Sequence, residues 1–142
     1  MKVSLTLLLL NLLAGSLAGA HGEENPGPHQ GHIRMPGAFH TELVLDDKQE
    51  AHIYLLDMNF QNPSVKDSHI ELSAQNGKSI VPFQCSIMDN SHFHCIPAKK
   101  YPQKGKLVLK ATREKMAGHE ISYPLPLKPF KGEAKPSSHH TH

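Results

Sequence analysis

From Phe39 to Leu127 the chain is written with a period of two. Apolar and polar residues alternate through FHTELVL (39–45), EAHIYLLD (50–57), SHIELSA (68–74), SIVPFQCSIM (79–88), HFHCI (92–96), GKLVLKATRE (105–114) and HEISYPLPL (119–127). Alternation sends successive side chains to opposite faces, so each run predicts a strand with one face for a core and one for solvent. The breaks between runs carry turn chemistry: DDKQ after the first, Pro63 after the second, and Asn-Gly in QNGK (75–78), a strong hairpin signal. Pro124 and Pro126 suit the last run to a sheet edge. Helical periodicity is missing. Seven short strands predict an all-β fold, an antiparallel immunoglobulin-like β-sandwich over 39–130, with a small Greek-key barrel as the alternative.

The flanks read differently. Residues 1–20 have the build of a secretory signal peptide: Lys2 is the charge, Leu5 to Leu13 the apolar stretch, and Ala18-Gly19-Ala20 the small-residue cleavage pattern. Its apolar run is too short for a membrane span, so the mature chain is expected to have none and to be exported, in the periplasm. Residues 21–38, HGEENPGPHQGHIRMPGA, are rich in Gly, Pro and polar residues and predict an irregular arm. Residues 131–142, with His139, His140 and His142, read as a disordered tail.

Composition narrows the function. The chain carries 15 Lys and Arg against 13 Asp and Glu, and loss of Lys2 leaves it near neutrality, without the basic excess of a nucleic-acid binder. Trp is absent and Tyr numbers three, poor material for stacking sugars or bases. Histidine is the outlier, with 12 residues, all after the signal peptide. Such a set reads as metal ligands, or as charge that responds to pH near neutrality.

The segment FQCSIMDNSHFHCIP predicts the most specific local structure. With a turn at Asp89-Asn90-Ser91, Cys85 faces Cys95, Ile87 faces Phe93 and Met88 faces His92. Opposed residues share a side, close enough for a disulfide to staple the hairpin in an exported protein. Phe83, Cys85, Ile87, Phe93 and Cys95 then face the core. Met88, His92 and His94 share the other face, where His-x-His offers two imidazoles to one ion and Met88 adds a soft thioether that favours Cu(I).

Further candidate ligands lie toward the N-terminus. Cleavage after Ala20 would expose His21, whose α-amine and ring nitrogen chelate one metal ion. His32 and His40 flank the start of the first run and would give a nitrogen-rich site suited to Cu(II). His52 reads as a surface residue, and Asp46 and Asp47 as ordinary turn residues. His69 and His119 have no assigned role. A Gly-x-Ser-x-Gly nucleophile turn and a Gly-rich phosphate loop are both missing from the sequence, and the two cysteines are committed to each other, so a binding protein is expected rather than an enzyme.

Gly37-Ala38-Phe39-His40-Thr41-Glu42-Leu43, followed by Tyr54-Leu55-Leu56-Asp57, resembles a small β-domain of the periplasmic heavy-metal efflux adaptor proteins. The likeness covers about a quarter of the chain and lacks the adaptors' helical hairpin and lipoyl-like parts. It implies a free-standing periplasmic module and marks His40. A weaker resemblance, carried by His21 alone, is to the copper-resistance protein C family, small exported β-sandwiches that begin with a copper-binding histidine. The expected function is a periplasmic metal carrier, buffer or resistance protein, with copper first and zinc second, whose partners are the ion and a periplasmic efflux or envelope protein. The alternative is an envelope interaction module that binds no metal.

Overall fold

The computed structural model describes residues 23–130; the expected signal peptide (1–20), His21 and the expected tail (131–142) lie outside the described residues. Nine strands follow in order: β1 (His32–Gly37), β2 (Phe39–Leu45), β3 (Ala51–Leu56), β4 (His69–Asn76), β5 (Ser79–Met88), β6 (His92–Pro97), β7 (Gly105–Arg113), β8 (Met116–Ala117) and β9 (Ile121–Leu125). The described residues contain no helix, so none long and apolar enough to cross a membrane. Every pairing is antiparallel, and the fold is all-β, as the alternation predicts.

The strands form a nearly closed sheet in the order β1-β2-β3-β6-β5-β4-β7-β8, with β9 also on β7. β5 joins its two halves. Ser79 to Pro82 pair with β4, whereas Phe83 to Met88 pair with β6. Pro82 has no amide hydrogen to extend the β4 ladder, and the strand changes neighbours there. At the opposite seam the Arg34 Nε donates to the Ser122 carbonyl at 3.1 Å, and the His119 amide to the Pro36 carbonyl at 2.9 Å.

One core fills the space between the halves. Phe39, Leu43, Ile53, Leu55, Phe93 and Cys95 come from one half, and Ile70, Leu72, Leu107, Leu109, Ala111 and Tyr123 from the other. Burial on this scale is the main favourable term in folding. The Tyr123 hydroxyl is wholly buried and bonded to Thr41 Oγ1 at 2.7 Å. Burial pushes its pKa well above the ordinary tyrosine value.

Two differences from the sequence reading stand out, at residues 32–37 and at Ile87. Residues 32–37, placed in the irregular arm, form β1, because the edge of β2 offers a ladder that Gly and Pro content does not reveal. The register shifts between Arg34 and Gly37, which accommodates Pro36. Arg113 is buried and ties the loop after β3 by donating to the carbonyls of Leu55 and Asn62. Ile87, expected in the core, is 55% exposed, because the far end of β5 runs beyond the opposing half.

The hairpin itself pairs as expected. Cys85 lies opposite Cys95 and bonded to it, Ile87 opposite Phe93, and Met88 opposite His92. Asp89 and Asn90 both take positive φ in the turn, a conformation their short polar side chains tolerate. The cystine closes a loop with a sequence separation of 10. Replacing both cysteines by serine is expected to lower stability by roughly 2–3 kcal/mol through the unfolded chain's restored freedom. Urea unfolding at unchanged far-ultraviolet dichroism measures it, and an unshifted midpoint contradicts it.

Candidate metal centre

The site sits on the outer face of β2, β3 and β6. Register places Val44 opposite His52, Glu42 opposite Tyr54, and His52 opposite His94. Because opposed residues point the same way, Glu42, His52, Tyr54, His92 and His94 share one face, backed by the core on the other.

The rings form a continuous column. His29 stacks on Tyr54 with centroids 3.6 Å apart and planes 6° from parallel. Tyr54 stacks on His92 at 4.5 Å, and His52 on His94 at 4.6 Å. His52 and His92 meet through their nitrogens, Nδ1 to Nε2, at 3.1 Å. Stacked aromatic pairs contribute about 0.5–1.5 kcal/mol each beyond area burial. The column is therefore a rigid support for its polar atoms.

Carboxylates anchor both ends. At the inner end Glu42 is fully buried; its Oε1 accepts from the amides of His29 and Gly31 at 2.7 and 3.0 Å, and its Oε2 lies 2.7 Å from His29 Nδ1. The loop Gly27 to Gly31 wraps the carboxylate so closely that a Cβ at Gly27 would overlap its oxygen, and one at Gly31 would sit 2.7 Å from Glu42 Cγ and the Leu43 carbonyl. Glycine is required there by approach, not by φ.

At the outer end Asp46 opens the β2–β3 turn. Its Oδ1 accepts from the amides of Lys48 and Glu50, at 2.9 and 3.0 Å, which fixes the turn. Its Oδ2 is left for His52 Nε2, at 3.3 Å. Partial burial raises the Asp46 pKa, but the two amides and His52 outweigh it and hold the carboxyl below the ordinary aspartate range. Glu50 Oε2 is 2.7 Å from His94 Nε2.

Asp46, His52 and His94 each offer a ligand atom, all within 4.8 Å of one another, and all three are partly exposed. Two ligands on one tetrahedral ion with bonds near 2.0–2.1 Å lie about 3.3 Å apart. The 3.3 Å Asp46–His52 separation already matches. This group is able to hold a metal ion.

The sequence candidates divide. His94 is in the group. His92 is in the column one step away, 5% exposed, and hydrogen-bonds His52 rather than joining the three. Met88 faces His92 in register on the same side. His40 is elsewhere, buried, its Nδ1 donating to the Asp57 carbonyl at 3.1 Å and its ring on Phe60. His32 stacks on Phe130. The structure thus does not bring His32 and His40 together with His92 and His94. His21 lies outside the described residues.

Sequence reasoning assigned His52 to the surface and Asp46 to the turn, yet they complete the group. The overlooked signal was pairing: His52 alternates with the core positions Ala51 and Ile53, so it had to share a face with the histidines of whichever strand lies beside β3. The chain matches no protein-family model, no curated protein and no solved structure.

Two expectations follow. Glu42→Gln leaves one oxygen to accept amides but weakens the charge-assisted bonds, at a cost of about 1–3 kcal/mol. Chemical denaturation checks this, and an unchanged unfolding midpoint contradicts it. Burial, followed by the nearby His52, lowers the His92 pKa below 6.5. The unfolded chain therefore binds the extra proton first, and stability present above about pH 6.5 drains away as the pH falls toward the lower folded value. Melting temperatures between pH 7.5 and 5.5 are expected to fall less in His92→Gln than in the native protein; parallel declines contradict the assignment.

Proposed function

We propose that this is an exported metal-binding protein of the periplasm that carries or buffers a transition-metal ion, a binding protein and not an enzyme. The observation that carries the reading is the convergence of Asp46, His52 and His94 on one point of a rigid face. Glu50 lies outside the group and braces His94, its Oε2 being 2.7 Å from the His94 Nε2. The donor set is two imidazoles and one carboxylate. This donor set suits Cu(II) first, by the order of divalent affinities, and Zn(II) second. It contains no thiolate or thioether, so Cu(I) is disfavoured at this point. The ligands' partial exposure supports exchange of the ion with a periplasmic efflux or envelope protein. Export is supported by the signal-like residues 1–20 and by the Cys85–Cys95 bond, which belongs to an oxidising compartment.

A non-metal interaction module is the second reading. It is favoured by a groove of about 630 Å³ beside Leu72, Phe83, Cys85 and Phe93, where β5 leaves β4. An extended strand is the occupant such an edge accepts.

Calorimetry with protein purified after export separates the two readings. One equivalent of Cu(II) or Zn(II) is expected to bind at pH 7.5. The His52→Ala/His94→Ala variant is expected to lose at least about 100-fold in affinity, more than is lost when only a residue behind a ligand is removed. His40→Ala should bind as the native protein does, and binding should weaken sharply at pH 5, because imidazole must be neutral to ligate. Full affinity in the double variant would refute this site.

A further inference from the structure

Asp46, His52, His92 and Ser91 form one unbranched chain of side-chain contacts. Asp46 Oδ2 meets His52 Nε2 at 3.3 Å, His52 Nδ1 meets His92 Nε2 at 3.1 Å, and His92 Nδ1 meets Ser91 Oγ at 2.9 Å. The partners fix where the protons sit. An ionised carboxylate only accepts, so His52 donates from Nε2. A neutral imidazole carries one proton, so His52 Nδ1 accepts and His92 donates from Nε2. His92 Nδ1 then accepts from the Ser91 hydroxyl. Every link is satisfied in this one arrangement.

An ion at Asp46, His52 and His94 needs the lone pair of His52 Nε2, which this arrangement covers with a proton. The same chain has a second arrangement, in which only the Asp46–His52 link lacks a proton and an ion would take its place. His52 donates from Nδ1 to His92 Nε2, and His92 donates from Nδ1 to Ser91 Oγ, whose oxygen accepts. We infer that Ser91, His92 and His52 are a tautomer relay that frees His52 Nε2 for the ion, with His92 as the positioning residue.

The proton count balances. One proton leaves His52 Nε2 for solvent. The His92 Nε2 proton passes to His52 Nδ1, the Ser91 hydroxyl proton passes to His92 Nδ1, and Ser91 regains one from solvent. Each imidazole holds one proton before and after. His92 is suited to this role because it is buried, its ring is stacked on Tyr54, and its two nitrogens are both occupied within the chain. Metal-bound histidines ordinarily donate their other ring proton to such a partner, and losing it costs about 10–100-fold in metal affinity.

The inference rests on the metal reading above, and one experiment tells the two apart. Nitrogen-15 spectra of the histidines are recorded on the full exported chain at pH 8, where ordinary imidazoles are neutral. Without metal, His52 and His92 are both expected with the proton on Nε2. One equivalent of Zn(II) is expected to move both to Nδ1, and cadmium-113 in its place to split the lines of His52 and His94 but not His92. His92→Ala is expected to lose about 10–100-fold in zinc affinity while still melting in one cooperative transition, at a lower temperature, whereas His92→Gln, whose amide oxygen can accept from His52, stays within a few-fold of native in affinity. Zinc bound with His92 still protonated on Nε2, or cadmium coupling at His92, overturns the relay alone. A chain that takes up neither ion overturns the metal reading and the relay with it.

Discussion

Cys95 lies between Ala51 of β3 and Cys85 of β5, paired to both and bonded to one. That alignment sets the register of β6, and the register decides which side of the sheet each of its residues faces. A slip of one position would drive His92 and His94 into the core and turn Phe93 and Cys95 to solvent. The apolar core opposes the slip because Phe93 and Cys95 are buried there. The covalent bond opposes it independently by fixing residue 85 to residue 95. The outer-face chemistry thus depends on a constraint applied from the inner face.

The column on that outer face is held at both ends by carboxylates with different duties. Glu42 is sealed under the Gly27–Gly31 loop, and its contacts join the N-terminal segment to β2. A buried charge survives only when its lone pairs are occupied, and two amides and an imidazole occupy these. Asp46 is partly open. One of its oxygens organises the turn and the other remains for His52. The closed end is structural and the open end is where an ion has access, with the stacked rings transmitting rigidity from one to the other.

Most of the strands were legible because period-two alternation and turn residues act locally. FHTELVL became β2 and SIVPFQCSIM became β5 at the boundaries read from sequence, and HFHCI became β6 with one residue added. β1 was missed because its six residues include Met-Pro-Gly, a sequence with weak strand preference. Its pairing to β2 is a tertiary gain, helped by Glu42 anchoring the preceding loop. Ile87 was misplaced for a related reason. Alternation gives the face a residue points to, but not whether the opposite half of the sheet extends far enough to cover it.

The sequence by itself determined an all-β chain, a Cys85–Cys95 hairpin, and a pair of histidines, His92 and His94, turned away from the core. These follow from the two-residue pleat and from the pairing rules of a short turn, which operate within a few residues. Only the tertiary structure decided that β3 lies beside β6, since those strands are separated by two others in the chain. That adjacency brings His52 against His94 and His92, aims the spare oxygen of Asp46 at the same point, and leaves His32 and His40 elsewhere. Strand order in a sheet is set by how the whole core closes, which no local spacing encodes.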